Sequence, residues 1–344
     1  MKTLLKELLI PPLASGFVSS LATGIFGQGI PVFLLHRMSS AQPSDQAYSH
    51  GTSATHLRRC LQYLVDSDYT FISLEQLVIA IREGTPLPEK AVAFTMDDGY
   101  IDQAEIAAPI FLEYDCPLTF FVISGLLDQQ LWPWDSKSSW IINNTKKSRL
   151  TLDFPDETLH IEIDDRNNRH NARELTRNYL KEVDATLIPA LLEQLADDAG
   201  LVLPETPPDL CIAMDWDKAR ELEQKGVQFA PHSVSHRILS KLDRENAEKE
   251  ILGSWHTLQR ELEKPLNLFC YPTGRILDFG PREVDILKKH GFIGAVSTIP
   301  GHIEPGKNAL KHLYRLPRFE LPNTMTDFIQ YCSWIEHAKH ADKN

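Results

Sequence analysis

The sequence predicts an α/β protein whose parallel sheet is closed or wound with helices outside. Three observations carry that expectation. Short uncharged apolar runs alternate with stretches whose apolar residues recur at helical spacing. Several of these runs stop at chemically capable side chains: His36, Asp97-Asp98 and His232. In parallel α/β folds, sites are built at such strand ends. The chain has 344 residues, 42% apolar and 24% charged, enough for one α/β barrel or two smaller domains.

Bulk properties exclude some functions. A formal net charge of -12 argues against a nucleic-acid partner. The five cysteines (60, 116, 211, 270 and 332) are odd in number, scattered and without CxxC spacing. That is no disulfide framework and points to a reducing compartment. From Leu8 to His36 no Asp, Glu, Lys or Arg occurs. Lys2 and Lys6 precede this run, and Ser20-Leu21-Ala22 resembles a cleavage site, but Glu7, Pro11 and Pro12 spoil a signal peptide. Residues 1–29 are therefore expected as an apolar helix or arm that docks on the body, with peripheral membrane contact through residues 8–26. The chain is expected in the cytoplasm at the inner membrane surface, with export as the alternative.

The elements follow in order. Residues 29–35 read as a buried strand that delivers His36 and Arg37, and a polar loop runs to Thr52. Leu57, Cys60, Leu61 and Leu64 mark a helix over 54–66. Ser73 with Gln76 three residues on reads as a capping box. Residues 91–96 form a buried strand ending at Asp97, Asp98 and Gly99, where glycine permits a sharp turn. Asp-Asp-Gly by itself also suits a plain turn. A helix over 102–114 and a strand over 118–123 come next. Trp132-Pro133-Trp134-Asp135 reads as loop. Residues 150–154 and 158–163 alternate apolar and polar around Pro155, which predicts a hairpin. Helices are expected over 171–183 and 187–199. The strand–helix rhythm resumes after Pro208, so 132–209 is read as an insertion into a body of 30–131 and 210–344. In the second half, strands are expected at 227–230, 266–270 and 294–297. Helices are expected at 215–225, 247–262 and 284–290. A final segment, 313–321, carries Arg315 and Arg318.

Chemistry collects at three strand ends. His232 and His236 are spaced to share one face if their segment is helical, which suits a single metal ion. Ser233 stands where a zinc protease carries its glutamate, so a base must come from elsewhere. Two imidazoles and one carboxylate make a three-ligand site with room for water. A second carboxylate can take the proton of that water. An acid for the leaving group is still needed.

The sequence resembles the NodB-like polysaccharide deacetylases, carbohydrate esterase family 4. Their first motif, Thr-Phe-Asp-Asp-Gly, appears as Thr95-Met96-Asp97-Asp98-Gly99. Their second, His-(Ser/Thr)-x-x-His, appears as His232-Ser233-Val234-Ser235-His236. The stretches 214–222 and 118–123 are also similar to the family, and the likeness covers roughly 30–131 and 210–320. The resemblance implies a distorted seven-stranded (β/α) barrel of the NodB type, here with an α+β insertion. It implies Asp97 as catalytic base and Asp98, His232 and His236 as metal ligands. Zinc is the first choice for such an N,N,O set.

Two departures matter. The third family motif, Arg-x-Pro-Tyr, aligns with Cys270-Tyr271-Pro272-Thr273, so the arginine that orients the base is missing. Arg318 is the replacement expected, with Arg315 second. The backbone N–H of Thr273 matches the position that serves the oxyanion in the family. The Leu-x-His motif, which supplies the acid near the family's C-terminus, appears instead as Leu34-Leu35-His36. This resembles the permuted branch that includes the poly-N-acetylglucosamine deacetylases, and it implies His36 as general acid, with His302 and His312 as alternatives.

The resulting expectation is metal-dependent removal of N-acetyl groups from an N-acetylated amino sugar in a polysaccharide or glycan precursor. Trp134 and Asp135 of the insertion, with Tyr271, are the residues expected against the sugar; Trp134 suits core packing equally. One alternative is a deformylase or other deacylase of a lipid-linked sugar. Another is a carbohydrate-binding protein without turnover on the same fold.

Overall fold

The computed structural model of the chain describes residues 2–14, 21–22, 29–39, 51–129, 131–154, 156–163, 166–208, 211–304 and 307–341. Most of the polar loop read between 36 and 52, and much of the segment 8–26, lie outside them. The strands are β1 (Val32–Leu35), β2 (Met38–Ser39), β3 (Thr52–Ser53), β4 (Thr70–Phe71), β5 (Ala91–Asp98), β6 (Leu118–Val122), β7 (Arg149–Asp153), β8 (Thr158–Glu162), β9 (Gln228–Pro231), β10 (Leu268–Cys270), β11 (Gly294–Val296) and β12 (Phe319–Glu320).

The main sheet runs β12-β1-β5-β6-β9, with β4 on the start of β5, and every pairing in it is parallel. β10 and β11 form a separate parallel pair. Isolated links join this pair to its neighbours: Leu266 N–H donates to the Phe229 carbonyl at 2.7 Å, and Val296 bridges Leu316, in the segment before β12, in parallel. The described ladder is thus six strands plus two rather than one continuous ring.

Register decides where the chemistry lands. Leu35 lies opposite Met96, so His36 leaves the ladder level with Asp97. Asp98 lies opposite Val122, and Val122 opposite Pro231, so His232 emerges one step beyond Asp98. The first strand of the chain pairs on one side with β5 and on the other with the last strand.

Every residue of β5 is buried, as a central parallel strand requires. Phe33 stacks on Phe94 at 5.5 Å, and Phe94 lies 5.2 Å from Phe111. Fully burying such a ring contributes ~1.5–3 kcal/mol. Ser73 and Gln76 form the capping box, and Gly84 closes that helix in the left-handed region. The helix expected over 102–114 is split into a π-helical turn at Gln103–Ala107 and an α-helix at Ala108–Glu113. π-turns of this kind gather at functional sites, and Gln103 is used there.

The region read as an insertion from the sequence has the antiparallel hairpin β7–β8 and helices at Arg166–Glu182 and Ile188–Ala199. It also has a helix at Trp134–Asn144 where the sequence reads as loop from 132 to 135. Pro133 precedes that helix and Asp135 sits in its first turn, both favourable at a helix start. Aromatic density had obscured this start. Ile141, Leu150, Ile161, Leu180 and Leu195 join Phe269, Tyr271 and Phe292 in one apolar cluster. The hairpin and its helices therefore share a core with the β10–β11 side. At the N-terminus, helix Lys2–Leu13 packs against helix Met325–Cys332, and Lys6 pairs with Asp327. No described helix is long and apolar enough to cross a membrane.

Candidate functional site

The site lies where β1, β5 and β9 end. After Asp98 the chain must turn in a crowded place. Gly99 has φ 96°, and a Cβ there would meet Leu127 Cδ1 at 2.7 Å, so only glycine fits. Of the seven described non-glycine residues with positive φ, four are Asp98, Ser233, His236 and Thr273. Such backbone costs of order 1–3 kcal/mol each and concentrates at functional sites.

The segment carrying His232 and His236 is not helical. Ser233 Oγ accepts the His236 N–H at 3.0 Å, making a tight turn that sets the two imidazoles edge to face with centroids 4.9 Å apart. Glu250 braces the turn by accepting the N–H groups of Val234 and Ser235 at 3.0 and 2.8 Å. Trp134 Nε1 donates to the His236 carbonyl at 3.0 Å.

Asp98, His232 and His236 converge. Asp98 Oδ1 lies 3.7 Å from His232 Nε2 and 3.8 Å from His236 Nε2. It is buried and has no hydrogen-bond partner. These separations are too long for hydrogen bonds. They suit ligands of one ion, since donors about 2.0–2.2 Å from a tetrahedral zinc stand roughly 3.3–3.6 Å apart. His232 Nδ1 is 2.8 Å from the Cys270 carbonyl. Donation there leaves Nε2 with its lone pair toward Asp98, the usual arrangement for a ligating histidine. Burial pushes His232 down to about 3 and lowers His236 as well, so both imidazoles are neutral, the state that binds metal. Burial, then Asp135 and Asp97, push the Asp98 carboxyl well up. A cation would reverse that preference. The residues present thus fit a divalent metal, with Asp98, His232 and His236 holding it.

Asp97 is handled differently. Arg318 is fully buried and donates through Nη1 to Asp97 Oδ1 at 2.7 Å and through Nη2 to Oδ2 at 2.6 Å. Its Nε reaches the Ser297 carbonyl and its Nη1 the Thr95 hydroxyl, both at 2.9 Å. Burial alone would raise the Asp97 carboxyl; the guanidinium overrides it and holds the group well below the usual carboxylate range. Cys270 Sγ, 3.4 Å from Asp97 Oδ2, touches both partners. Arg315 is spent elsewhere, donating to His312 Nδ1 at 3.0 Å in an exposed pair. His302 bonds the Tyr331 carbonyl at 2.7 Å and stands away from the site.

A cavity of ≈ 690 Å³ opens over these groups, and His36, Asp135, Tyr271 and Thr273 line it with Asp97, Asp98, His232 and His236. His36 stands close enough to Asp97 and His236 to act on both electrostatically. Asp135 Oδ2 is 3.9 Å from His236 Nδ1. Tyr271 is a wall: its ring stacks on Phe279 at 3.9 Å and its hydroxyl donates to the Tyr314 carbonyl. Thr273 donates its hydroxyl to Asp278. Trp134 corrects the sequence expectation of a sugar platform. It is buried, is absent from the cavity wall, and uses its indole N–H on the histidine turn.

Three residues escape sequence reading. Buried Gln103 donates to the carbonyls of His36 and Asp97 and accepts the Gly99 N–H, tying the β1 and β5 ends together. Glu250 and Cys270 are the others. Gln103 and Glu250 lie in no recognisable motif; Cys270 stands where the third motif has its arginine, and that alignment is its one signal.

A mostly parallel α/β fold with a histidine–carboxylate centre at its strand ends defines the class. The chain belongs to the polysaccharide deacetylase family, hydrolytic enzymes whose sequence profile matches residues 84–295, more than half of the chain. A poly-β-1,6-N-acetyl-D-glucosamine N-deacetylase of Escherichia coli K12 is 32% identical over 93 residues. That match spans 27% of this chain and only 14% of the relative. Among solved structures, the Streptococcus pyogenes deacetylase PplD in complex with acetate superposes with TM-score 0.59 at 18% identity, covering 89% of this chain and 98% of that one. IcaB from Ammonifex degensii gives TM-score 0.56 at 15% identity, covering 90% and 98%. At these identities the structures speak for the fold.

Proposed function

We propose that the chain is a metal-dependent deacetylase that removes N-acetyl groups from an N-acetylated amino sugar of a glycan. The observation that supports this best is the division of labour between adjacent carboxylates. Asp97 is held ionised by Arg318, and Asp98 is left unpaired between two neutral imidazoles. A divalent metal, zinc by preference, would be held by Asp98, His232 and His236 and would polarise the acyl oxygen and acidify a water. Asp97 receives the proton of that water. Arg318 keeps its oxygens fixed and deprotonated at any working pH, at some expense in basicity. His36 gives a proton to the departing amine across the cavity, and the Thr273 backbone N–H serves the developing oxyanion. We infer also that β10, β11 and the segment 316–320 complete a distorted seven-stranded barrel with the main sheet.

The test is release of acid from N-acetylated and N-formylated amino sugars by metal-stripped and metal-restored protein. Acetate released only after metal is restored is the expected result. Formate released in preference to acetate would move the assignment to a deformylase. Tight sugar binding with no acid released would make the chain a carbohydrate-binding protein.

A further inference from the structure

The insertion brings positive charge to the cavity that the chemistry above leaves unused. Helix Arg166–Glu182 contributes Arg173, Glu174, Arg177 and Lys181 to the wall, residues at the spacing that shares one helix face. Glu174 is taken by Arg177 Nη2. Arg177 Nε is buried and has no hydrogen-bond partner among the described residues. Lys181 makes no ion pair among them. Apart from burial, the strongest influences on it are the repelling guanidiniums of Arg275 and Arg177. Both Arg177 and Lys181 act on Asp135, whose carboxylate is 3.9 Å from His236, so their charge bears on the rim of the metal site. Of the other anions on the wall, Asp97 is engaged by Arg318, Asp98 would face the metal, and Glu320 lies on β12.

We propose that Arg177 and Lys181 form a subsite for a phosphate group carried by the amino-sugar substrate. This rests on the deacylase reading and narrows its substrate. A half-buried ammonium crowded by guanidiniums is costly against a neutral glycan. A phosphate offsets that repulsion. Its tetrahedral oxygens accept from an arginine edge and from a lysine point charge arriving in different directions. The ≈ 690 Å³ cavity is within the range that holds a sugar with one substituent. Such a phosphate has two sources, a soluble sugar phosphate or a sugar attached through phosphate to a membrane lipid.

The experiment uses the full chain and has two readouts. Calorimetry on metal-free protein compares N-acetylglucosamine 1-phosphate with the neutral methyl glycoside. Turnover by metal-loaded protein is compared for the same pair, and for a polyprenyl phospho-N-acetylglucosamine in phosphatidylcholine vesicles. The expected preference for the phosphorylated ligand is about 10- to 100-fold, the size of one or two charged hydrogen bonds. In the Arg177→Gln/Lys181→Gln double variant the ratio of phosphorylated to neutral kcat/KM falls toward one, and Lys181→Arg retains it. Turnover of either phosphorylated substrate upholds the subsite, and the faster arm names the source. Equal binding of both ligands, an unchanged ratio in the double variant, or a stronger preference for a uronic-acid carboxylate overturns it. Phosphate preference in binding with no acetate released would overturn the deacylase reading alone.

Discussion

Asp97 and Asp98 are neighbours on one strand end, yet the protein treats them in opposite ways. Asp97, on the cavity floor, has both oxygens bonded by a buried guanidinium. Asp98 has left-handed backbone, and its Oδ1 is buried with no partner. One carboxyl is pulled down and the other pushed up. The difference shows that charge state at this site is set by what each carboxylate faces and hardly by position in sequence. The protein completes one carboxylate by itself and leaves the other for a cation.

The largest effect should come from breaking the completed side. Arg318→Met leaves Asp97 buried and unpaired, which costs about 3–5 kcal/mol and should appear as a large fall in Tm at neutral pH. The pH dependence gives the sign. The folded Asp97 value is depressed, so its contribution is fully present above the unfolded value near 3.9 and is lost as pH falls through the folded value below it. In Arg318→Met burial raises the unpaired Asp97 instead, so the Tm gap should be widest at alkaline pH, narrow as falling pH protonates that carboxyl in the folded variant, and close in strong acid. A gap that stays constant from alkaline pH into strong acid would show that Asp97 is not the group involved.

A smaller effect belongs to the side awaiting a cation. Glu250 holds the histidine turn through two N–H groups and the Ser235 hydroxyl. Glu250→Gln keeps the shape but weakens these bonds. Metal affinity should fall about 10- to 100-fold, as for other supports of ligating residues, when titrated with zinc. Unchanged affinity would mean that the turn is rigid without its brace. The smallest effect is at Trp134. Trp134→Phe keeps the packing and removes one N–H bond to His236, worth about 0.5–1.5 kcal/mol. Sugar binding that collapses while stability holds would restore Trp134 as a substrate contact.

Much of this was legible because it rests on strand ends. The apolar run 91–96 and its closing Asp-Asp-Gly stand out against helical surroundings, and so does the pair of histidines after β9. Arg318 could be named because two arginines fell in one late segment, but only packing assigns its guanidinium to Asp97 and sends Arg315 to His312. Gln103 and Glu250 were invisible for a physical reason. Both sit on helices, where polar residues ordinarily face water, and only tertiary contact turns them inward. Trp134 was misplaced because an aromatic beside Pro133 reads equally well as an exposed platform or a buried anchor. The insertion's cations had no signal beyond ordinary helix composition.

The most direct test of the central comparison is to measure bound zinc and acetate release side by side in Asp97→Asn and Asp98→Asn. Asp97→Asn should keep its metal and lose about 10²–10⁴-fold in turnover, the usual contribution of a positioned base. Asp98→Asn should lose the metal, because it removes the only anionic ligand of three. Metal lost from Asp97→Asn and retained by Asp98→Asn would contradict the account, since the carboxylate bound by Arg318 would then be the ligand.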